Sequence, residues 1–273
     1  GVRIMAYTDI DKPSDYFVSN LHVGNGGTQT ITTGIDADWI WIKNRTSAEG
    51  SGVFDTVRGA TKMLCSQNTD GESTTANSLT AFGSDGFSVG ANNRVNQNSN
   101  NIVSWNWKAG GSASNNTDGN TTTSVSVNQD AGFSIMKYAG DGNDSTIGHG
   151  LGAKPEYIIF KETDGAESWR VHSIYTPNNA SNTLALNLAD AAFSQSNWIS
   201  AISNTTISIG TDSSFNTDGN NYIAYAFAPK QGYSKFGSYI GNGNADGTFV
   251  YTGFKPAWVM VKKSSATNNW VIQ

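Results

Sequence analysis

The sequence has very little cysteine and little charge. Its single cysteine, Cys65, excludes an internal disulfide framework, because a disulfide needs two thiols. Charged residues make up only 14% of the chain, the net charge is −5, and the 17 Lys and Arg residues are scattered. A nucleic-acid-binding surface needs clustered basic side chains to neutralise phosphates, so this composition argues against DNA or RNA as a partner.

Long apolar runs are also lacking. No stretch approaches the ~20 consecutive apolar residues that a membrane-spanning helix needs, so membrane insertion is not expected. The chain is instead rich in Ser, Thr, Asn and Gly, with 30 Gly residues, and 11% of its residues are aromatic. So many aromatic side chains need a buried core, and short strands joined by polar turns reconcile the two features.

The chain repeats itself. Residues 87–107 recur as residues 207–227 without a gap, and a third, partial copy runs from Gly232 to Trp270. Such repeats indicate a chain built from similar structural units. We predict an N-terminal segment over residues 1–14, a first unit over 15–110, a linker over 111–130, a second unit over 131–229 and a partial third unit over 230–273.

The joints between the units differ in composition. Residues 111–130 are almost all Gly, Ser, Asn, Thr and Asp, which cannot build a core, so we expect a flexible linker there. Only Lys230 and Gln231 separate the second unit from the third, so we expect these two units to be held more rigidly. The third copy matches only the first part of a unit. Either the parent protein continues, or this segment completes an earlier unit by strand exchange.

The strand patterns predict an all-β fold. Residues 39–43 carry apolar side chains on both faces, which is typical of a central strand buried on both sides. Val103, Trp105 and Trp107 alternate with polar residues, which predicts a strand with one wet face. Helical periodicity is nearly absent. We therefore predict tandem antiparallel β-sandwich repeats of jelly-roll or lectin-like type.

Catalytic constellations are hard to find. His172 aligns with Phe54 of the first unit, which indicates a packing position, and neither His22 nor His149 lies near a nucleophile signature. Glu162 and Glu167 flank a predicted turn. They are interpreted as a solvated hairpin tip and not as the acid/base pair of a glycosidase. We therefore predict that the protein is not an enzyme.

Calcium is the one metal that the loops suggest. Asp141, Asn143, Asp144 and Asp218 lie in short loops rich in the hard oxygen ligands that calcium prefers. Asp-Gly and Asn-Gly pairs are also the usual residues of tight turns, so turn formation without a metal is the alternative.

Several segments resemble structural proteins of marine bacteriophages of the cyanophage and pelagiphage type. They are Met5–Phe17, Trp41-Ile-Lys-Asn-Arg45, Phe54-Asp-Thr-Val-Arg-Gly59, Trp105-Asn-Trp-Lys108, Leu151-Gly-Ala-Lys-Pro155, Gly232–Tyr239 and Gly253-Phe-Lys-Pro256. The resemblance implies a tail-fibre or receptor-binding virion protein, assembled in the host cytoplasm and carried on the extracellular particle. It also implies other virion proteins as partners, a homotrimer, and no catalytic motif. Met5 resembles a natural first residue, so Gly1–Ile4 is expected to be an extension.

The resemblance leaves three functional hypotheses. The first is attachment to a host-surface glycan, because exposed aromatic rings stack on sugars. Trp169, Trp198 and Trp270 are its candidate ligand residues, with core packing as the alternative for each. The second is a purely structural decoration or assembly module without a ligand. The third is a polysaccharide depolymerase, which would need a carboxylate cluster that the sequence does not display.

Overall fold

The computed structural model describes residues 8–273, and nearly all of their regular structure is β. The few helices are a 3₁₀ turn and two single-turn α-helices: Pro13–Asp15, α1 (Asn93–Asn96) and α2 (Ser213–Asn216). None of these three has the length or the apolar character of a membrane-spanning helix. The all-β, sandwich-like prediction is confirmed. Of the predicted N-terminal segment, Gly1–Ile4 and Met5 lie outside the described residues.

The first unit is a sandwich of two antiparallel sheets. Its strands are β1 (Phe17–Val23), β2 (Gln29–Thr32), β3 (Trp39–Asn44), β4 (Gly52–Asp55), β5 (Lys62–Met63), β6 (Ser73–Thr74), β7 (Leu79–Gly83), β8 (Gly86–Val89) and β9 (Asn101–Trp107). The large sheet has the order β1-β9-β3-β4 and the small sheet the order β2-β8-β7, while β5 pairs with β6 alone. Apolar side chains from both sheets, such as Ile40, Ile42 and Phe87, form the core between them.

The second unit repeats this plan with a wider large sheet. Its strands are β10 (Ser114–Asn116), β11 (Thr123–Asn128), β12 (Phe133–Ala139), β13 (Ser145–Gly148), β14 (Tyr157–Glu162), β15 (Arg170–Ser173), β16 (Asn182–Ala185), β17 (Phe193–Ser194), β18 (Ile199–Ile202), β19 (Thr206–Ile209) and β20 (Asn221–Phe227). The large sheet has the order β10-β11-β12-β20-β14-β15-β16-β17 and the small sheet the order β13-β19-β18. Ile158, Phe160 and Ile207 contribute to the core between these sheets.

The predicted linker is not a linker. Residues 111–130 contain β10 and β11, which extend the large sheet of the second unit from the edge of β12. Val125 is buried in the core of that unit. The prediction was wrong because backbone hydrogen bonds to β12 hold these strands, and composition carries little information about backbone pairing.

Strand β3 of the first unit is buried on both faces as predicted, whereas the prediction for its neighbour β9 is wrong. In β3, Ile40 and Ile42 face the core of their own sandwich, and Trp39 and Trp41 face the opposite way, towards the second unit. The predicted wet face of β9 is wrong. Its Ser104 and Asn106 are fully buried, and the Asn106 side chain donates to Ser104 Oγ at 3.0 Å and to Val18 O at 2.9 Å.

A third apolar core is shared by all three units. Trp39 of the first unit stacks on Tyr225 of the second, with ring centroids 4.5 Å apart. Trp258 of the third unit meets Trp107 of the first edge-on at 5.3 Å. Phe236 of the third unit stacks on Tyr157 of the second at 5.7 Å. Each unit therefore contacts the other two, and the aromatic strands meet around a common centre.

The third unit docks on the second in the same way as the second docks on the first. The third unit contains a single short hairpin, β21 (Met260–Val261) and β22 (Val271–Ile272). Trp169 Nε1 of the second unit donates to Cys65 O of the first at 2.9 Å, and Trp270 Nε1 of the third donates to Ala185 O of the second at 2.9 Å. These residues occupy equivalent positions in the repeat, so the same head-to-tail interface recurs.

Backbone hydrogen bonds show the same recurrence. Glu72 N donates to Thr163 O at 2.7 Å across the first interface, and Ala192 N donates to Ser264 O at 2.8 Å across the second. Glu72 and Ala192 are equivalent, as are Thr163 and Ser264. The docking of the units is therefore a property of the repeated sequence itself.

His172 occupies a packing position, as predicted. The side chain lies on β15, is nearly inaccessible to solvent, and has its ring 6.3 Å from that of Trp198. Burial, followed by the positive charge of Lys154, lowers the pKa of His172 from 6.5 to about 4. The folded protein therefore holds this imidazole neutral and resists its protonation.

The His172→Phe variant is expected to lose part of the protein's acid sensitivity. Because the folded-state pKa is lowered, the unfolded chain takes up the proton first. The contribution of neutral His172 to the free energy of unfolding is complete above pH 6.5, and it is lost as the pH falls towards about 4. Between pH 7.5 and pH 4.5, the free energy of unfolding should decrease by about 2–3 kcal/mol less in the variant than in the wild type. Urea unfolding at pH 7.5 and pH 4.5 measures this, and equal losses in both proteins would contradict the assignment.

Candidate functional site

Two of the three tryptophans predicted to bind a ligand are interior. Trp169 is 1% exposed and lies in the shared core. Trp198 is buried in the core of the second unit, with its ring 4.9 Å from that of Phe215. Neither has a free face for a sugar ring, so the ligand-binding prediction is corrected to core packing for both. The sequence around these two tryptophans predicts loops, but neighbouring elements of the fold pack over both side chains.

Trp270 is half-buried. Its indole nitrogen is bonded to Ala185 O, and its ring packs against the shared core. It therefore connects the third unit to the second. Part of the Trp270 side chain stays exposed, so its predicted role in ligand binding stays a prediction.

The predicted calcium loops are neighbours in space. Asp141 Oδ1 accepts from Asn143 N at 2.9 Å, and Asp141 Oδ2 accepts from Ser145 Oγ at 2.5 Å. The bond from Ser145 is the main reason that the pKa of Asp141 lies below its ordinary value. A Cβ atom added to Gly142 would lie 3.3 Å from the Cβ of Asp218. Asp144, on the same loop as Asp141, is exposed.

The buried side chain of Asn216 hydrogen-bonds to the backbone of the loop that carries Asp141 and Asn143. Asn216 Oδ1 accepts from Asp141 N at 2.9 Å, and its Nδ2 donates to Asn143 O at 2.5 Å and to Gly210 O at 2.9 Å. The amide thus satisfies backbone groups of two loops at once. These bonds support the turn interpretation of the loop.

In the first unit, Asn96 makes the hydrogen bonds that Asn216 makes in the second unit. Asn96 Oδ1 accepts from Asn25 N at 3.0 Å, and Asn96 Nδ2 donates to Gly27 O at 2.7 Å. Asn25, an amide, stands where the second unit has Asp141. Within residues 8–273 no group of three or more His, Cys, Asp or Glu side chains is placed to hold a metal ion. Calcium at Asp141, Asn143, Asp144 and Asp218 stays a prediction.

The two glutamates of the hairpin serve separate contacts. Glu162 is buried and accepts from Asn220 Nδ2 at 2.5 Å, so its assignment to a solvated tip is wrong. Glu167 accepts from the hydroxyls of Ser213 and Ser214 at 2.9 and 3.3 Å, which ties the hairpin to α2. The sequence did not reveal these bonds because their partners lie about 50 residues away along the chain.

A buried lysine beside Glu162 joins this hairpin to the first unit. Burial lowers the pKa of Lys161 to about 8, although the charge of Glu162 opposes the shift. Its ammonium donates to three backbone carbonyls, those of Glu162 at 2.7 Å, Thr69 at 3.1 Å and Gly165 at 3.3 Å. Since all three partners are backbone oxygens, this lysine acts as a structural cross-link.

A cleft between the second and third units is lined by aromatic and charged side chains that are partly accessible to solvent. The cleft has a volume of about 450 Å³ and is lined by Tyr175, Tyr251, Glu156, Lys235 and Phe236, among others. Tyr175 and Tyr251 are 37% and 63% exposed. We call these five residues the Tyr cleft. These residues combine partly free aromatic rings with one carboxylate and one ammonium group, and Lys230 adds a second ammonium group to the lining.

The polar groups of the Tyr cleft are already positioned. The Tyr175 hydroxyl donates to Glu156 Oε2 at 3.0 Å. Burial, followed by this bond to Glu156, raises the pKa of Tyr175, so the phenol stays protonated at neutral pH. Lys235 Nζ donates to Tyr251 O at 2.9 Å and lies 5.3 Å from the centroid of the Tyr251 ring. Such a set can stack on a flat apolar face and hydrogen-bond to hydroxyl groups.

The sequence pattern did not identify the Tyr cleft. The candidate ligand residues in the sequence are tryptophans, whereas the two most exposed rings of the cleft are tyrosines, which precede a Thr-Pro and a Thr-Gly pair. The cleft forms only where two units meet, so no single motif contains it.

Comparison with known proteins identifies a family without an assigned activity. No curated protein and no solved structure matches the chain. A family profile matches residues 12–273, which is nearly the whole chain, and the protein therefore belongs to the family described as "Domain of unknown function (DUF7483)".

Proposed function

We propose that the protein is a bacteriophage tail-fibre or tail-associated receptor-binding component that attaches to a glycan of the host surface. The single observation that carries the glycan part is the Tyr cleft, in which Tyr175 and Tyr251 expose aromatic surface beside Glu156 and Lys235. Rings of this kind stack on sugars, and the charged groups bind hydroxyls. The phage part rests on the resemblance of the repeated motifs.

The docking of the units holds the residues of the Tyr cleft in fixed positions at the surface of the protein. The interface that joins the second unit to the third also joins the first to the second, and it fixes the walls of the cleft through contacts such as the Tyr157–Phe236 stack. Binding residues on loops held by a rigid β scaffold are a common arrangement. The proposal includes other virion proteins as partners, a homotrimer, and a location on the extracellular particle.

Tyr175→Ala and Tyr251→Ala are each expected to weaken binding to a host glycan by about tenfold or more, because each removes a stacking surface. A glycan array followed by titration of the best hit measures the effect. Tyr239→Ala is the matched control, since this tyrosine is exposed in the third unit but does not line the cleft. If the purified protein binds no glycan and does not inhibit adsorption of the phage, the attachment proposal fails.

A purely structural role is the second candidate. It is favoured by the burial of Trp169 and Trp198, which leaves two predicted ligand residues with packing roles. Locating the protein in an intact particle separates the two candidates. A position enclosed by other subunits favours the structural role, and an exposed tip favours attachment.

A further inference from the structure

The third unit has an uncovered apolar face. Seven of the eleven large apolar side chains that are exposed in residues 8–273 belong to it, and no residue after Ala228 is fully buried. Val259 is 39% exposed, whereas the equivalent Ile158 and Ile40 are both 0% exposed. The side of the third unit that forms a sandwich core in the other two units is therefore left uncovered by residues 8–273.

The repeat shows what covers this face in the first two units. Residues 79–107 supply two strands of the small sheet, α1 and the central strand β9, and residues 199–227 supply the same elements ending in β20. β9 lies between β1 and β3, and β20 lies between β12 and β14. Each central strand pairs over seven residues on one side and six on the other.

The two strand positions that flank this central strand are present in the third unit. Residues 233–239 are equivalent to β12, and β21 is equivalent to the middle of β14. In the described part of the chain, β21 pairs only with β22, and residues 233–239 form no strand. Tyr233 and Ser234 make backbone hydrogen bonds to Lys230, whereas residues 235–239 make no backbone–backbone hydrogen bond to other described residues. Unpaired backbone groups next to bare apolar side chains make a template for an added strand.

We propose that the third unit binds a polypeptide segment of the type of residues 79–107 and 199–227. Its last strand would pair antiparallel with residues 233–239 on one side and with β21 on the other. The strand has the chemistry of β9 and β20: aromatic side chains at the positions of Trp105 and Tyr225 face the shared core, and the alternate side chains cover Val259. This is recognition by β-strand addition.

The docking surface is continuous with an interface that is already formed. Trp258, just before β21, contacts Trp107 at 5.3 Å and Phe17 at 6.4 Å, as Trp39 of the first unit contacts Phe227 and Phe133 of the second at 5.9 and 5.8 Å. The hairpin thus already lies where β3 and β14 lie in their own units. The β21 side therefore needs little reorganisation before a strand is added, which favours binding, whereas residues 233–239 must become extended when the strand pairs with them.

A synthetic peptide of residues 199–227 titrated into the full chain tests the proposal. We expect saturable 1:1 binding by calorimetry and slower amide hydrogen exchange in residues 233–239 and 259–262. A peptide carrying Ile223→Asp and Tyr225→Asp should bind at least about tenfold more weakly, because it would place charges in the shared core.

Substitutions in the full chain provide the matched comparison. Val259→Glu should weaken binding of the unmodified peptide by at least about tenfold, since this side chain would be covered. Leu21→Glu should leave binding unchanged, because Leu21 is 65% exposed on β1 of the completed first unit. Both positions are exposed before binding, so both variants should fold.

Three outcomes would overturn the proposal. The first is no binding of the unmodified peptide. The second is a homodimer that already protects residues 233–239 from exchange, which would make a second copy the occupant. The third is peptide binding only after removal of residues 1–7, which would make those residues the occupant. None of these results decides glycan binding, which is tested separately by the Tyr175→Ala variant of the second unit.

Discussion

Arg58→Met is expected to lower the free energy of unfolding by about 3–5 kcal/mol, which is the usual effect of breaking a fully buried ion pair. The Arg58 and Asp55 side chains are 1% and 0% exposed, and Arg58 Nε lies 2.6 Å from Asp55 Oδ2. The substitution keeps an apolar side chain of similar length. It leaves the Asp55 carboxylate without its cation in the interior.

The pair also connects two units. The Tyr225 hydroxyl of the second unit donates to Asp55 Oδ2 at 2.8 Å, and the Arg58 guanidinium donates to Val53 O at 3.1 Å and to Lys62 O at 2.9 Å. Burial alone would lower the pKa of Arg58. The charge and hydrogen bond of Asp55, together with the contributions of Tyr225 and Glu72, outweigh this effect and hold the pKa above its ordinary value. The guanidinium therefore stays charged inside the protein.

An exposed pair of the same spacing is the control. Lys12 and Asp15 are also three residues apart, but their side chains are 72% and 54% exposed. Lys12→Met should change stability by less than about 1 kcal/mol, because water screens surface pairs. Urea unfolding of both variants gives the comparison. If Arg58→Met changes stability no more than Lys12→Met does, the buried network does not stabilise the docked units.

This network could not be predicted from sequence. Asp55 and Arg58 are three residues apart in sequence, and charge pairs at this spacing usually lie at the surface, so their sequence does not indicate burial. The Tyr225 hydroxyl, which donates to Asp55, lies 170 residues further along the chain, so no local pattern contains the network. The second unit has Thr176-Pro177 where the first has Arg58-Gly59, so the repeat gave no second example.

The features that were predicted correctly are local. Apolar residues on both faces of β3 predicted a strand buried on both sides, because side-chain alternation depends only on adjacent residues. The alignment of His172 with Phe54 predicted a packing position because repeated units share their core positions. The failures at Trp169, Trp198 and residues 111–130 have a common cause. In each case burial or pairing is decided by elements that are distant in sequence, and irregular composition does not reveal them.

Trp169→Ala is expected to destabilise the protein by about 3–5 kcal/mol, as large-to-small substitutions of buried aromatic residues do. The side chain fills the shared core where the second unit meets the first, so its removal leaves a cavity in that interface. Its indole nitrogen also satisfies Cys65 O at 2.9 Å. Trp169→Phe keeps most of the apolar contact and loses this bond, so it should lower stability by about 1–3 kcal/mol.

Trp270→Ala is the matched comparison, because Trp270 makes the equivalent bond to Ala185 O in the second interface while remaining half-buried. It should destabilise the protein less than Trp169→Ala, since less apolar surface is lost from the interior. Urea unfolding ranks the three variants, and glycan titration at the same temperature separates packing from recognition. A Trp169→Ala protein that unfolds like the wild type but no longer binds glycan would assign this tryptophan to a ligand site. A less stable protein that binds glycan normally would assign it to the joint between the units.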